Sequence, residues 1–526
     1  MIEHLFSSLF FILLISFSGI SQGPEISWGQ LERKQGTLLY ILPSAKNEFY
    51  ALRWSGGRVF GHYKASKHSE LKSIESSKIK LVANGSMANF EGAKVFNDRF
   101  VTFLSDRQDG KNVFYMQPFN SALEADGEPL SLASYDFTQN RGKGFFDIKI
   151  SANGKYIGVV WQIPGKKGER HIYGFKVFNQ DFELINDGEY RLPFSSELSE
   201  IHEHHISNTG DYFLCLSEYV QVEKKKLFTS NIEFKALHIY HITDDDGLQD
   251  FTLDLDGKRI TAMAMYSDKD DLFVLTGIYG NKDQTGVSGV FHQRVNLKTE
   301  EILKEGFKDF DEEFITQGWS ERELRKASKR EERGKGGAQL YNYKMRDVTF
   351  LEDGSIIGTM EQYYVQVQSN MDGRTGQSSN VYMYYYNDII AYKIDTEGEF
   401  NWVDKIRKYQ VSINDGGPYS SFESFVDSGS VYFIFNDHMR NYTDAGSFID
   451  EERIHTANYG RKRNAIALAS INLTTGEVSR ETFTDGTKNK ALVVPKLFSV
   501  NPRTGELWLY SVSGRKEKFG RLNYSP

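Results

Sequence analysis

Two histidines spaced two residues apart are the clearest sequence indication of a metal site in this chain. His202 and His204 lie in an alternating segment that ends at a polar turn, which is the pattern of a β-strand. Residues two apart on a strand share a face, so both imidazoles could ligate one metal ion, as could Glu203 with His205. Spacing fixes no third ligand. The alternative is that these polar side chains line a channel without a metal.

A second candidate site consists of four polar residues in two later repeats: Glu361, Asp437, His438 and Arg440. A carboxylic acid near a carboxylate or an imidazole can perform acid–base chemistry, and paired carboxyl groups cleave glycosidic bonds. The set therefore allows polysaccharide cleavage. The alternative is ordinary polar residues at strand ends, because sequence spacing does not show that the four converge. No nucleophile elbow, zinc-protease motif or phosphate-binding loop occurs in the sequence.

A carboxylate recurs near the same position in five repeats. Counted back from the turn of each repeat, the position holds an acidic residue four times, and a fifth falls one position off: Glu91, Asp147, Glu203, Asp347 and Glu423. A ring of carboxylates around a channel would attract a hard cation such as Ca²⁺. The alternative is that each carboxylate accepts hydrogen bonds from backbone N–H groups of an adjacent blade. Beyond these metal hypotheses the sequence identifies no cofactor.

Tyrosines are concentrated in two alternating segments with a turn between them. The first segment contains Tyr363 and Tyr364, and the second contains Tyr382, Tyr384 and Tyr386. The alternation predicts a hairpin that projects from the body with aromatic faces. Exposed tyrosine suits a protein partner or a stacked sugar ring, because it offers apolar area with a polar tip. The alternative is that these rings pack beneath neighbouring loops.

The composition is that of a folded, acidic protein with a polar surface. The 526 residues include 63 basic and 71 acidic residues, and the net charge of -8 predicts no nucleic-acid partner. Aromatic residues make up 14% of the chain, which is enough for a large core. Cys215 is the single cysteine and lies in an apolar string, so we expect a buried thiol and no intramolecular disulfide.

The N-terminus has the pattern of an export signal. An apolar run over residues 5–17 is followed by small residues, which predicts a signal peptide over residues 1–21. The run is shorter than the roughly 20 residues of a membrane span, and no later segment approaches that length. We therefore expect an exported chain, periplasmic or extracellular, with no membrane span after cleavage. Because no Lys or Arg precedes the run, an uncleaved anchor is the alternative.

One pattern recurs eight times over residues 22–526: an apolar or alternating segment, a two-residue polar turn and a short apolar strand. Asn, Asp and Gly in the turns tolerate the positive φ that tight hairpins require. The repeat predicts four-stranded blades with insertions, and thus an all-β fold: a single eight-bladed β-propeller, with seven blades as the alternative. The turns are Lys46–Asn47, Asn97–Asp98, Asn153–Gly154, Thr209–Gly210, Lys269–Asp270, Asp353–Gly354, Ser428–Gly429 and Thr504–Gly505.

The two ends of the chain complement each other in this scheme. The eighth repeat supplies three strands before the sequence ends, whereas residues 26–34 precede the first repeat and have no other partner. Pairing the N-terminal strand with the last blade removes an exposed sheet edge and closes the ring.

Two turn-plus-tryptophan segments carry a family resemblance. Asp395–Trp402, and less closely Asn501–Trp508, resemble the repeat turns of quinoproteins and related bacterial propellers. The resemblance implies an exported bacterial β-propeller repeat protein. It does not imply quinone binding, because one good match in eight repeats cannot build such a site. The Trp-Asp pair of WD repeats and the sialidase box are absent, and paired glycines such as Gly56–Gly57 do not recur from repeat to repeat as they do in kelch proteins.

Extra chain length is concentrated in one set of connections. In a propeller the second-to-third and blade-to-blade connections share a face, and here they contain residues 222–235, 307–343, 368–380 and 437–462. We call this side the insertion-rich face, and we expect the other connections to be uniformly short. The insertion 307–343 lies between blades five and six. Its Ser320 and Glu323 form a capping-box pattern that predicts a helix over residues 321–333.

These observations predict a function at the level of class. Binding residues are concentrated on loops that a rigid scaffold holds, and catalytic motifs are missing. We therefore expect a non-enzymatic binding or scaffold propeller that engages a protein partner through the insertion-rich face of blades four to seven. The alternative is a carbohydrate-binding or carbohydrate-cleaving propeller that uses the channel mouth, with a glycan as partner. Neutral drift of surface loops is a further explanation of the insertions.

Overall fold

The fold is nearly all-β: of the residues that the structure describes, 65% lie in strands and 5% in helices. The computed structural model describes residues 24–523 except 25, 57–60, 137–144, 164–167, 223–231, 244–246, 254, 256, 268–271, 282–285, 297–298, 300, 334–336, 372–373, 375–377, 451–453, 458, 460–462, 484–490 and 502. The signal peptide predicted over residues 1–21 and the predicted turn Lys269–Asp270 lie outside the described residues.

The first half of the chain forms sheets in which strands that follow each other in sequence also lie side by side, all antiparallel. Two short strands, β1 (Ser27–Trp28) and β2 (Glu32–Arg33), precede them. The first sheet contains β3 (Thr37–Pro43), β4 (Glu48–Ser55), β5 (His62–Ser69) and β6 (Lys72–Ile79), and a small hairpin of β7 (Val82–Ala83) and β8 (Ser86–Met87) follows. The second sheet contains β9 (Asn89–Phe96), β10 (Arg99–Gln108), β11 (Lys111–Pro118) and β12 (Leu130–Asp136).

The third, fourth and fifth sheets repeat this order. The third contains β13 (Phe145–Ile150), β14 (Ile157–Ile163), β15 (Ile172–Phe178) and β16 (Leu184–Arg191). The fourth contains β17 (Ser199–Ile206), β18 (Tyr212–Gln221), β19 (Ile232–Thr243) and β20 (Gly247–Leu253). The fifth contains β21 (Lys258–Ser267), β22 (Phe273–Asn281), β23 (Gly289–Asn296) and β24 (Glu301–Asp309).

Two helices, α1 (Glu312–Thr316) and α2 (Glu321–Glu331), separate the fifth sheet from the sixth. The sixth contains β25 (Tyr343–Phe350), β26 (Ile356–Met371), β27 (Ser378–Ile394) and β28 (Phe400–Ile413). The seventh contains β29 (Glu423–Asp427), β30 (Ser430–His438), β31 (Asn464–Asn472) and β32 (Val478–Thr482), with a 3₁₀ turn at Met439–Asn441. The last contains β33 (Leu492–Val493), β34 (Ser499–Asn501), β35 (Glu506–Ser513) and β36 (Lys516–Asn523), with a 3₁₀ turn at Pro495–Leu497.

The predicted turns join the first and second strands of successive sheets. The second strands begin within one residue of the positions that the repeat predicts, from Glu48 in the first sheet to Glu506 in the last. Each predicted turn among the described residues contains a residue of positive φ, for example Asn47 at 64° and Gly210 at 92°. Local turn chemistry therefore fixes where each sheet folds back on itself.

Neighbouring sheets pack against each other in chain order. Their innermost strands touch in the series β13, β17, β21 and β25, and β3 touches both β9 and β34. Large apolar side chains fill the space between sheets, as where Phe213 and Cys215 of the fourth sheet meet Phe273 and Leu275 of the fifth. Burial raises the pKa of the Cys215 thiol, which is fully buried as expected.

The two ends of the chain lie in one sheet. β1 and β2 pair antiparallel with β36, with Ser27 opposite Arg521 and Glu32 opposite Glu517. The ammonium group of Lys518 lies over the indole of Trp28, 4.2 Å from the ring centroid. The N-terminal segment thus covers an edge of the last sheet that would otherwise be open.

The connection lengths agree with the expected faces, with one exception. Third-to-fourth connections are short, but β11 and β12 are joined by residues 119–129, so this set is not uniformly short as predicted. That loop is compact, since Phe119 bridges to Ala125 and the side chain of Leu123 is buried. Within the described residues no helix is long and apolar enough to span a membrane.

Candidate functional site

The sixth sheet extends beyond its neighbours as a projecting hairpin. β26 and β27 remain paired from the sheet body out to Met371 opposite Ser378, and β28 follows β27 as far as Ile413 opposite Met383. β25, in contrast, pairs with β26 only as far as Gln362. The hairpin predicted from the tyrosine alternation is therefore present, and it has a third strand along part of its length.

Paired residues of antiparallel strands share a face, which gives the hairpin two surfaces. The first hairpin face contains Tyr363, Val365, Val367, Met371, Tyr382, Tyr384 and Tyr386. The second hairpin face contains Tyr364, Gln366, Gln368, Met383, Tyr385 and Ile413.

The tyrosines change from buried to exposed along the hairpin. At its base, the rings of Tyr363 and Tyr386 lie 4.7 Å apart on the first face, and Tyr364 stacks on Tyr385 at 4.5 Å on the second. Toward the tip, Tyr382 is 41% exposed. Both alternatives for these rings thus apply: the inner ones pack against each other, and the outer one faces solvent.

The exposed apolar area lies mainly on the first hairpin face. Val365 is 40% exposed, Val367 50% and Met371 77%. Val365 and Val367 are two residues apart and Tyr382 lies opposite Val367, whereas Met371 lies nearer the tip, beyond Ser369. Rows of this kind mark binding surfaces when polar residues surround them, because monomeric proteins seldom expose contiguous apolar patches.

A buried ionic cluster lies at the base of the hairpin. The carboxylate of Glu361 is fully buried and accepts hydrogen bonds from Lys408 Nζ at 2.6 Å, Ser421 Oγ at 2.8 Å and Arg346 Nε at 2.8 Å. Burial alone raises the pKa of Glu361, but the charges of Lys408 and Arg346 outweigh it and lower the pKa. Glu361 therefore remains an anion held by two cations, which suits a structural role better than proton transfer.

A partly exposed basic and aromatic group adjoins this cluster. Lys496 Nζ donates to the Tyr386 hydroxyl at 2.7 Å and to the Gly416 carbonyl at 3.0 Å. Burial and the neighbouring charge of Arg346 lower the pKa of Lys496 to about 8. Lys344 lies 5.0 Å from the ring centroid of Tyr363. Lys344, Arg346 and Lys496 thus border the paired rings of Tyr363 and Tyr386, which are tilted by 43° to each other.

Asp437 belongs to a different cluster. Its carboxylate accepts hydrogen bonds from Arg480, from the Tyr442 hydroxyl at 2.7 Å and from Asn441 Nδ2 at 2.8 Å. The adjacent residue Asn436 points to the opposite face of β30, where its amide donates to the Val493 carbonyl. The predicted set is therefore divided between two clusters, each with its own cation.

The other two members of the predicted acid–base set have local roles. His438 Nδ1 accepts a hydrogen bond from the backbone N–H of Arg440 at 3.1 Å and caps the 3₁₀ turn. Its ring lies 5.1 Å from that of His455. The side chain of Arg440 is exposed. Among the described residues, no contact joins His438 or Arg440 to Glu361.

A β-bulge separates the two predicted metal ligands. The pairing of β17 with β18 shifts register at His202, between Ile201 and Glu203. His202 Nε2 then bonds Ser217 Oγ at 2.7 Å, and His204 Nδ1 bonds the Tyr212 hydroxyl at 2.7 Å.

The two bonding partners show that the histidines lie on opposite faces of the sheet. Tyr212 and Ser217 are five residues apart on β18, an odd number, so their side chains point to opposite sides. Burial lowers the pKa of both imidazoles, that of His204 to about 4. The structure therefore does not bring His202 and His204 together. In the part of the chain that it describes, no three His, Cys, Asp or Glu side chains are grouped to hold a metal ion.

The predicted carboxylate ring contains cations and local hydrogen bonds. Lys149 Nζ lies 2.6 Å from Glu203 and 3.3 Å from Asp147. Asp147 also accepts from the N–H of the next residue, Ile148, at 2.8 Å, and Ser105 donates to Glu91. The donors are thus the side chains of Lys149 and Ser105 and, for Asp147, a backbone N–H of its own strand. None of these donors is a backbone group of an adjacent blade.

Asp347 and Glu423 differ from the other carboxylates. Burial raises the pKa of both, and the charge of Asp347 raises the pKa of Glu423 further, against the opposing effect of Arg346. In both cases the main cause is burial, which disfavours the charged carboxylate.

The insertion before the sixth sheet is divided into a docked part and an exposed part. Phe307, Lys308 and Asp309 belong to β24 and Tyr343 to β25, so the insertion spans 310–342 rather than 307–343. Phe310 and Leu340 are buried, and Lys405 Nζ donates to the carbonyls of α1. The helix predicted over residues 321–333 is present as α2, with the Ser320 and Glu323 capping box. None of its side chains is buried.

Sequence reasoning missed the partners of Glu361. Arg346 and Lys408 belong to the sixth sheet, Ser421 to the connection that follows it, and Lys496 to the 3₁₀ turn of the last sheet. No sequence spacing indicates that they converge, whereas Glu361, Tyr363 and Tyr386 were all in the predicted set.

Comparisons with known proteins show distant likeness only. No family model matches the chain, and no curated protein matches it. Among solved structures it is similar to prolyl oligopeptidase B from Galerina marginata, at 10% identity over 93% of this chain and 56% of that chain, with a TM-score of 0.36. It is also similar to the WD40 domain of SCAP from fission yeast, at 9% identity over 95% and 94% of the two chains, with a TM-score of 0.36.

A further likeness is to Synechocystis apocarotenoid oxygenase, at 12% identity over 96% and 94% of the two chains, with a TM-score of 0.29. The chain spans about half the length of the Galerina peptidase. The first two neighbours are propeller-like. Scores of this size carry no argument about activity, which must come from the residues of this chain.

Proposed function

We propose that the sheets form one eight-bladed β-propeller closed by the N-terminal strands. The support is the contact of successive innermost strands, the contact of β3 with β34, and the pairing of β1 and β2 with β36. A seven-bladed ring would leave one of the repeats outside the series of contacts.

We also propose that this propeller is an exported, non-enzymatic binding or scaffold protein. It engages a protein partner through the projecting hairpin on its insertion-rich face. The observation that carries this function is the exposed row of Val365, Val367, Met371 and Tyr382 on the first hairpin face. Complete burial of a valine contributes about 1.5–3 kcal/mol, so covering this half-exposed row yields on the order of 1 kcal/mol per side chain.

The split of the predicted acid–base residues supports a binding role over catalysis. Glu361 and Asp437 each have a cation as a direct partner. A general acid needs a transferable proton within hydrogen-bond reach of a substrate, and both carboxylates are instead enclosed by protein donors. Export rests on the apolar run over residues 5–17 and is tested by sequencing the N-terminus of the protein recovered from the cell envelope.

Site-specific photo-crosslinking in the native cells tests the binding surface. A benzophenone amino acid at position 382 should give a discrete adduct, and the same label at the exposed Ile74 of the first sheet should not. The variant V365E/V367E should abolish the adduct, because it places two charges in the apolar row. The matched variant Q366E/Q368E adds the same charges to the opposite face of the same strand and should retain it. Equal adducts from both variants, or none from the unmodified surface, would contradict the proposal.

A carbohydrate ligand at the channel mouth is the second candidate. The observation that favours it is the pair of neighbouring rings, Tyr363 and Tyr386, bordered by Lys344, Arg346 and Lys496. Aromatic faces stack on sugar rings, and cations attract a carboxylate, so an acidic sugar fits this group best. Calorimetry with glucuronate and with glucose as control tests it, and K496M should weaken glucuronate binding selectively. Absence of glucuronate binding at millimolar concentration would exclude this candidate.

A further inference from the structure

The projecting hairpin has an open edge whose backbone groups point outward. The N–H of Tyr363 donates to the Asn342 carbonyl at 2.9 Å or less, on the side of β26 away from β27. Backbone groups alternate along a strand, so those of Val365, Val367 and Ser369 also point away from β27. The carbonyl of Tyr382, opposite Val367, accepts from Asn414 on the far side of β27, which agrees with this alternation. No described strand pairs with β26 along this edge beyond Gln362.

This edge lacks the charges that protect the other exposed strands of the protein. The outermost strands of two other sheets carry them: Lys72, Glu75 and Lys78 on β6, and Asp187, Glu189 and Arg191 on β16. Residues 362–371 contain no charged residue and no proline. Charges and prolines on edge strands prevent pairing with other chains, so a long neutral edge favours pairing.

We propose that the hairpin edge is the interface of a homodimer, in which β26 of one copy pairs antiparallel with β26 of a second copy. The proposal rests on the partner-binding function proposed above and identifies one partner of that surface. The sequence of the edge is self-complementary. When β26 pairs antiparallel with β26 of a second copy about residue 366 or 367, the Val and Tyr side chains of the first hairpin face lie opposite first-face side chains of the other copy. Gln366 and Gln368 lie opposite second-face side chains of the other copy.

A second copy fits this edge better than a charged segment would. The chain has a net charge of -8, so two copies repel each other over most of their surfaces. The neutral hairpin projects beyond the sheet body and brings uncharged strands together. Pairing satisfies the outward backbone groups and joins the two first hairpin faces into one sheet surface. The interface is small, so we expect a dissociation constant on the order of micromolar.

Analytical ultracentrifugation of the full chain tests the proposal. The protein should change from monomer to dimer with rising concentration, and added salt should not weaken the dimer, because no ion pair lies on the edge and salt screens the repulsion between the two acidic copies. V367P removes an outward N–H and should abolish the dimer. V365T/V367T keeps every backbone donor and should retain it in weakened form. A chain that stays monomeric, or a V367P variant that dimerises like the wild type, overturns the proposal.

Cysteine trapping gives a second measurement that does not depend on V367P folding. The single native cysteine, Cys215, is fully buried, so an introduced thiol reports on the edge alone. Under mild oxidation Q366C or V367C should cross-link two chains, because opposite residues near a twofold axis are close enough for a disulfide. The control I74C should not. If neither edge cysteine cross-links but the label at position 382 captures a different protein, the homodimer is excluded and the binding function stands. If neither is seen, both fail.

Discussion

Lys408 and Glu361 form an ion pair with no solvent exposure, with Nζ 2.6 Å from Oε1. β28 provides the lysine and β26 the glutamate, so the pair lies across the middle strand β27 at the base of the projecting hairpin. The ammonium group also donates to the Tyr386 carbonyl at 3.0 Å and to Gln410 Oε1 at 3.1 Å. All three N–H groups of Lys408 thus donate hydrogen bonds, and these bonds connect β26, β27 and β28 at the base of the hairpin.

Removing one partner of this pair should destabilise the protein strongly. K408M leaves the buried carboxylate with one cation, and we expect a loss of about 3–5 kcal/mol in the free energy of unfolding. E361Q/K408M removes both charges and should lose less than K408M alone. Urea denaturation of the two variants and the wild type measures the difference. A double variant as unstable as K408M would show that the charge pair is not the source of the effect.

The turn at the start of each repeat was predictable because its chemistry is local. Asn47 and Gly210 have positive φ where their residue types favour it, and the strands begin within a residue of the expected positions. The surroundings of Glu361 were not predictable in the same way. Ser421 and Lys496 lie 60 and 135 residues further along the chain, and only tertiary packing brings the connection after the sixth sheet and the last sheet near Glu361.

The predicted metal pair shows a different limit of sequence reasoning. The spacing of His202 and His204 implies a shared face only if the strand is regular. One extra residue at the bulge reverses the side of everything beyond it, and alternation in the sequence does not reveal that residue. The same strand nevertheless gives each ring a hydroxyl partner, Ser217 for His202 and Tyr212 for His204.

The protein should lose stability between about pH 6.5 and pH 4 through its buried histidines. Burial lowers the pKa of His68, His204, His205 and His292 to about 4 each. In this range the unfolded chain binds a proton on each ring and the folded chain does not, so unfolding becomes more favourable as pH falls. Each ring contributes up to about 1.4 kcal/mol per pH unit within the window.

A single variant isolates this effect. H292L removes one titrating ring from the fifth sheet, and its unfolding free energy should fall less steeply between pH 6 and pH 5 than that of the wild type, by about 1 kcal/mol per unit. Urea denaturation at the two pH values provides the slopes. Parallel slopes would mean that His292 does not resist protonation in the folded state.

Lys496 should be unusually reactive for a lysine. Its pKa of about 8 leaves a large fraction of neutral amine at pH 8, where an ordinary lysine is almost fully protonated. Competitive labelling with acetic anhydride, quantified by mass spectrometry from pH 7 to pH 10, should give a midpoint near 8 for this residue. Y386F removes the hydroxyl acceptor at 2.7 Å and should change that midpoint. A midpoint above 10 in the wild type would contradict the assignment.

Helix α2 should be dispensable for folding, although the segment that carries it is not. None of its side chains is buried, and the ion pair between Arg325 and Glu321 is exposed. Replacing residues 321–331 by a Gly-Ser linker should therefore leave the melting temperature nearly unchanged. L340A in the same insertion should cost about 2–5 kcal/mol, because Leu340 is buried and bridges to Val287. A large loss of stability in the linker variant would show that α2 packs against the propeller in solution, and its charged surface would then no longer be available to a partner.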